Sequence, residues 1–162
     1  MRTDQLTGIL ENLFGELMHG VSGQGGFMLN HRDRGLLRSL ERVPAAEASA
    51  LTRTGSSIAA HVAHVTYGLS LLNRWSQGEN PFGDADWSAS WKKTRVTEPE
   101  WEALRIQLRD QAARWLVVLR TPREVQDVEM SGLIGSIAHL AYHLGAIRQM
   151  SVNARGPAEG DR

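Results

Sequence analysis

The chain has 162 residues, 41% hydrophobic and 22% charged, the balance of one globular domain with a core of its own. Lys and Arg number 18 and Asp and Glu number 18, so the formal net charge is zero and the basic excess typical of nucleic-acid-binding domains is missing. Cysteine is absent, which excludes disulfides, cysteine-ligated zinc, iron–sulfur clusters and a cysteine nucleophile, and fits a reducing cytoplasm.

The elements are read in chain order. Leu6, Ile9, Leu10, Leu13, Phe14 and Leu17 recur at helical spacing and predict a helix over residues 4–18, with Thr3 or Asp4 as its cap. Gly20, Gly23, Gly25 and Gly26 then form a loop that lacks the Gly-Lys-Ser/Thr ending of a phosphate-binding loop. A short helix follows over 32–42. Pro44 ends it or opens a further turn through Ala45–Ala50.

Ile58, Val62, Val65, Leu69 and Leu72 predict a long helix from about residue 57 to 77. Residues 78–95 predict an irregular connection. Thr97, Pro99 and Glu100 form the signature of a capped helix start, and Trp101, Leu104, Leu108, Trp115, Leu116 and Leu119 continue that helix towards Pro122. The last helix is expected over about 132–152, and residues 154–162 are expected to be a disordered tail. No segment alternates apolar and polar residues, so the fold class is all-α, with four long helices in a bundle. No apolar run of about 20 residues is apparent for a membrane span, and the N-terminal segment lacks the apolar stretch of a signal peptide. The expectation is a cytoplasmic protein with no membrane and no nucleic-acid partner.

Four of the six histidines fall in two close pairs on two predicted helices. His139 and His143 are spaced i,i+4, which stacks them on one flank of the last helix, where a single metal ion can bridge them. His61 and His64 flank the inward stripe of the 57–77 helix. The two segments share wording: Ser57-Ile58-Ala59 and Ser136-Ile137-Ala138 each precede a histidine seven residues after the serine. A third ligand from the earlier helix, His61 or His64, would complete a three-histidine site with open positions. Neutral imidazoles suit zinc, nickel, iron and copper, and such an ion lowers the pKa of a bound water or thiol. Set against this, a lone flank histidine is usually a hydrogen-bonded structural residue. His19 and His31 are read as loop or surface residues.

The remaining candidates are weighed the same way. Five tryptophans between Trp75 and Trp115 either line an aromatic pocket or fill the core. Tyr67 and Tyr142 are candidate proton donors or ligand-orienting groups, with Tyr142 pointing away from the inward stripe. Asp84 and Asp86 are weighed as histidine partners against the commoner role of turn or cap residues. Arg148 is weighed as a carboxylate binder. Ser57 and Ser136 lie near the histidines, but no nucleophile elbow or triad acid accompanies them.

The segment Ala138-His139-Leu140-Ala141-Tyr142-His143-Leu144-Gly145-Ala146-Ile147-Arg148-Gln149 resembles the last helix of the DinB/YfiT-like superfamily. Ser57 to Leu72 resembles the helix that supplies one further histidine there, and the likeness spans roughly residues 29–150. The resemblance implies a four-helix bundle of up-down-down-up topology, a homodimer, and a divalent metal held by His64, His139 and His143, with His61 as the alternative ligand. It implies zinc or nickel ahead of iron or manganese. The activity it implies is a metal-dependent S-transferase, or a hydrolase, that activates a low-molecular-weight thiol or water for attack on a small-molecule substrate. With no cysteine in the chain, that thiol must come from a cosubstrate. The alternative is a metal- or ligand-binding stress protein without turnover, or a structural dimer. The glycine cluster at 20–26 and the connection bearing Trp87 and Trp91 depart from the superfamily pattern, so no substrate is carried over.

Overall fold

The structure is a computed structural model that describes residues 2–23 and 26–158. Among them are seven helices and no strand: α1 Thr7–His19, α2 Gly35–Leu40, α3 Ala45–Ala48, α4 Ile58–Trp75, α5 Trp87–Ser90, α6 Glu98–Arg120 and α7 Asp127–Met150. The protein is all-helical, as its apolar periodicity predicts. The four long helices pack in a ring of neighbours, α1 against α6 and α7, and α4 against the same two.

The helix starts follow from local chemistry. Ser57 accepts a hydrogen bond from the Ala60 amide at the start of α4 and donates to the Thr94 carbonyl at 2.7 Å. Thr97 and Glu100 close a reciprocal capping box on α6, with Pro99 in its first turn. α7 begins five residues before the expected Gly132, because Gln126 and Glu129 make a second capping box. Gln is a rare cap residue, so that start carries little signal. The connection at 78–95 is not wholly irregular, since Asp86 caps the single-turn α5 by accepting from the Ala89 amide.

The core runs through the ring. Phe14, Leu17, Val62, Leu108, Leu119, Leu140 and Ile147 are all at most 1% exposed, and burying each such side chain is worth about 1.5–3 kcal/mol. Trp101 donates its indole N–H to the Val43 carbonyl, and Trp115 donates its own to Ser136 Oγ. These two tryptophans are core residues with satisfied polar ends.

The glycine loop has a structural anchor. The carboxylate of Glu16, on α1 and nearly buried, accepts hydrogen bonds from the backbone amides of Phe27, Met28 and Leu29 at 2.9, 2.7 and 2.6 Å. A Cβ on Gly26 would lie 2.5 Å from that carboxylate. Gly25, read as part of the loop, lies outside the described residues. Gly20 and Gly35 both have positive φ, 95° and 70°, and cross so closely that a Cβ on either would strike the other strand of backbone.

Arg148, weighed as a substrate carboxylate binder, is instead engaged with Asp33 at 2.7 Å, and Asp33 also accepts from the Gly35 amide. The expected tail is corrected in its first part. Ala154 is fully buried, Gly156 lies against Asp33, and the Pro157 carbonyl accepts from Asn30. Residues 159–162 lie outside the described residues. α7 is long and apolar enough to cross a membrane by length and composition, with a window of mean hydropathy 1.2, contrary to the sequence reading. Of that window 44% is buried inside the structure, and a single helix of this kind is also compatible with a soluble protein.

Candidate metal centre

α4 and α7 present their histidines to each other. The registers are set by the core: Val62, Val65 and Leu69 point α4 inward, and Leu140 and Leu144 do the same for α7. His64, His139 and His143 are thereby brought together, with one ring nitrogen of each within 4.8 Å of the others. The Nε2 atom of His139 lies 3.1 Å from Nε2 of His64 and 3.0 Å from Nε2 of His143. Ligand nitrogens about 2.1 Å from one ion stand about 3.0 Å apart at right angles and about 3.4 Å apart in a tetrahedron. The two spacings from His139 fit nitrogens that share an ion, and they equally fit N–H···N hydrogen bonds.

His61 is placed differently. Its Nδ1 lies 2.8 Å from Nδ1 of His143, on the far side of that ring from the Nε2 cluster. The alternative between His61 and His64 is thus divided by geometry. His64 joins the convergent trio, and His61 backs one of its members.

Electrostatics keep the cluster uncharged. Burial, then the neighbouring His139 and His61, lowers His64 to about 4. Burial, then His139, His61 and His64, lowers His143 to about 3. Burial lowers His61 and His139 as well. All four imidazoles are therefore neutral at pH 7, the form that binds metal.

A neutral imidazole carries one N–H, so the tautomers can be followed along the chain of contacts. Ser90, at the end of α5, donates its only hydroxyl hydrogen to the Trp87 carbonyl at 2.6 Å. Its oxygen therefore accepts from His64 Nδ1, 2.7 Å away. That places the His64 proton on Nδ1 and leaves Nε2 bare. His143 Nδ1 lies 2.8 Å from His61 Nδ1, and one proton is shared between the two rings. His139 Nε2 faces the bare Nε2 of His64 on one side and Nε2 of His143 on the other. A single proton there serves both poorly, whereas a cation satisfies all three lone pairs at once.

The aromatic residues of the 78–95 connection wall the cluster. Trp91 stacks on His64 with centroids 4.4 Å apart and planes at 24°, and meets His61 edge-on at 5.0 Å. Trp87 lies 5.6 Å from His64. The tryptophans thus divide, with Trp87 and Trp91 at the site and Trp101 and Trp115 in the core. Tyr67 accepts from the Asp86 amide at 3.0 Å and packs on Trp87, so its hydroxyl anchors the connection. Tyr142 is 68% exposed and touches only the back of His143. Asp86 acts as a cap, and neither it nor Asp84 bonds a histidine. Ser136 is committed to Trp115 and the Leu133 carbonyl, and Ser57 to its cap, so neither serine is a nucleophile. His19 closes α1 and His31 sits in the following loop, both outside the cluster. Ser90 is the residue that sequence reasoning missed. Its only trace is the Asp86-x-x-Ala89 cap that creates α5.

Comparison with protein-family models, with curated proteins and with solved structures finds no match to this chain.

Proposed function

We infer that the protein is a metal-dependent enzyme whose divalent ion is held by His64, His139 and His143. The observation that carries this reading is the convergence of three neutral Nε2 atoms at 3.0 and 3.1 Å steps, with the His64 proton directed to its other ring nitrogen. Three protein ligands leave positions open for a water or substrate, the arrangement of catalytic rather than structural sites. A bound ion there would supply Lewis acidity and a lowered pKa for a coordinated water or thiol. An all-imidazole set contributes no negative charge, so that effect is undiminished by the protein. The imidazole donor set suits zinc, nickel, iron or copper better than manganese, and the superfamily likeness puts zinc or nickel first.

The reaction class proposed is transfer from a low-molecular-weight thiol to an electrophile, with hydrolysis as the variant in which water takes the thiol's place. This part, together with the four-helix bundle topology and the homodimer, rests on the likeness of Ala138–Gln149 and Ser57–Leu72 to the DinB/YfiT-like superfamily. The packing ring of α1, α4, α6 and α7 is consistent with that bundle. A second reading, metal or ligand binding without turnover, is favoured by one observation: among the described residues no Asp, Glu, Lys or Arg side chain is hydrogen-bonded to the histidines.

Elemental analysis of tag-free protein beside His143→Ala tests the reading. A near-stoichiometric transition metal, lost in the variant, supports it and opens a screen of thiols and electrophiles. No metal after incubation with zinc, nickel and manganese overturns it.

A further inference from the structure

A cavity of about 530 Å³ lies between α4 and α7, under the loop that carries Asn80 and Phe82. That volume is within the range of small-molecule sites. Its lining holds no Asp, Glu, Lys or Arg, and its walls are Leu69, Leu72, Trp75, Phe82 and Leu140. Three glycines open it: Gly68 on α4, and Gly132 and Gly135 on α7. A Cβ on Gly132 would strike the Trp75 ring at 2.5 Å, so glycine there lets the edge of the Trp75 ring abut α7. A Cβ on Gly135 would meet nothing, so a larger residue there would extend into the cavity.

The cavity has one reactive end. Of its polar lining, Ser136 is already engaged with Trp115 and Leu133, and Asn80 lies on the loop over the cavity, away from the histidines. His139 lines the same cavity while its Nε2 belongs to the cluster. Its Cε1 and Nδ1 face Gly68, at 3.5 and 3.9 Å from a Cβ built there. No hydrogen bond is made by His139 Nδ1. When Nε2 serves an ion, the one proton of the neutral ring sits on Nδ1, as a donor at the cavity's end.

We propose that this cavity binds the substrate of the metal site as an uncharged molecule with an aromatic or branched aliphatic body and a hydrogen-bond acceptor, such as a carbonyl, at the His139 end. A charged ligand would lose its hydration against walls that offer no counter-charge. The proposal rests on the metal reading for its placement beside the ion, and its test separates the two.

The probe is 6-propionyl-2-(dimethylamino)naphthalene, a neutral naphthyl ketone whose emission moves to the blue in an apolar site. It is titrated into wild type, Gly135→Phe, Gly135→Leu and, as a control on a distant helix face, Gly8→Phe. The same samples are titrated with zinc. Saturable blue-shifted binding is expected in wild type and Gly8→Phe, weakened at least tenfold in both Gly135 variants, with zinc binding unchanged. The anionic 8-anilinonaphthalene-1-sulfonate is expected not to displace the probe. Absence of saturable binding, equal binding by the Gly135 variants, or displacement by the sulfonate overturns the proposal. Probe binding without zinc binding refutes the metal reading and leaves the cavity. Zinc binding without probe binding does the reverse.

Discussion

Replacing Ser90 by alanine isolates the contact that sets the His64 tautomer. In the wild type, Ser90 Oγ donates to the Trp87 carbonyl and accepts from His64 Nδ1 at 2.7 Å, so the Nε2 lone pair is presented to the cluster. Without that acceptor, the Nδ1–H of a side chain only 8% exposed has no protein partner. A neutral hydrogen bond is worth about 1 kcal/mol net, and a buried donor left unpaired costs about 1–3 kcal/mol. The rival tautomer, with Nδ1 bare and Nε2 protonated, avoids that cost but cannot bind metal through Nε2. A metal-bound His64 must therefore bear about 1.5–3 kcal/mol that the wild type does not, which is roughly a 10- to 100-fold loss of affinity. The assay is zinc titration against a chromogenic chelator, with Ser88→Ala as control. Ser88 also sits on α5 and bonds Asp86, but touches no histidine. α5 has no buried residue, so the melting temperature should move by no more than about 2–4 °C in either variant, the size of one lost hydrogen bond. Wild-type zinc affinity in Ser90→Ala would refute the tautomer reasoning.

Other expectations follow from the same contacts. His61→Ala should weaken zinc about tenfold, as loss of an outer partner does, whereas His64→Ala should abolish stoichiometric binding; equal losses in the same titration would place His61 among the ligands. Metal-free protein should lose stability as pH falls through about 6.5, because the unfolded histidines take up protons that folded His64, lowered to about 4, and His143, lowered to about 3, refuse. A fall on the order of 10 °C in melting temperature between pH 7.5 and pH 5 is expected, flattened in His64→Gln/His143→Gln, and a flat wild-type profile would contradict it. Glu16→Ala should leave three amides of residues 27–29 without their carboxylate and cost about 3 kcal/mol, read as a lower urea midpoint and faster proteolytic cleavage in that loop. Gly132→Ala should force the Trp75 ring away from α7 at a cost of about 1–3 kcal/mol, visible in tryptophan fluorescence; an unchanged spectrum and midpoint would show that the ring accommodates the methyl group freely.

The parts of the molecule legible from sequence are those written in short-range patterns. The stripe of Val62, Val65 and Leu69 marks α4, the Thr97–Glu100 box marks the start of α6, and the i,i+4 spacing of His139 and His143 marks one half of the cluster. The flank positions of the 57–77 helix offer a partner for that pair without choosing between His61 and His64, and the preference for His64 rests on the resemblance to the DinB/YfiT-like superfamily. The remainder depends on contacts that no local period encodes. Glu16 seeks amides eleven to thirteen residues away, Asp33 meets Arg148 across 115 residues, and Ala154 enters the core behind a Gly-Pro segment that looks like a tail. Ser90 was invisible because a four-residue helix leaves no periodicity, and its role appears only once Trp87 and His64 are seen on either side of it. His61 and His64 are three residues apart on one flank. Only the rotation of α7 against α4 decides which of them shares the Nε2 cluster.

The site is held by two kinds of element with different energetic standing. Its convergent nitrogens stand on α4 and α7, whose registers are fixed by fully buried side chains such as Val62 and Leu140. Moving a ligand there means moving the core. The outer contacts come from α5 and its flanks, which bury nothing and are held by the Asp86 cap and the Tyr67 hydroxyl. The hydrogen bond that fixes the His64 tautomer and the stacked Trp91 thus belong to the part of the fold with the least stability to lose. Substitutions in 86–91 should alter metal affinity and access while leaving folding nearly unchanged, and substitutions beneath the histidines should do the opposite. That separation follows from burial alone, and it lets affinity and stability be varied independently in this protein.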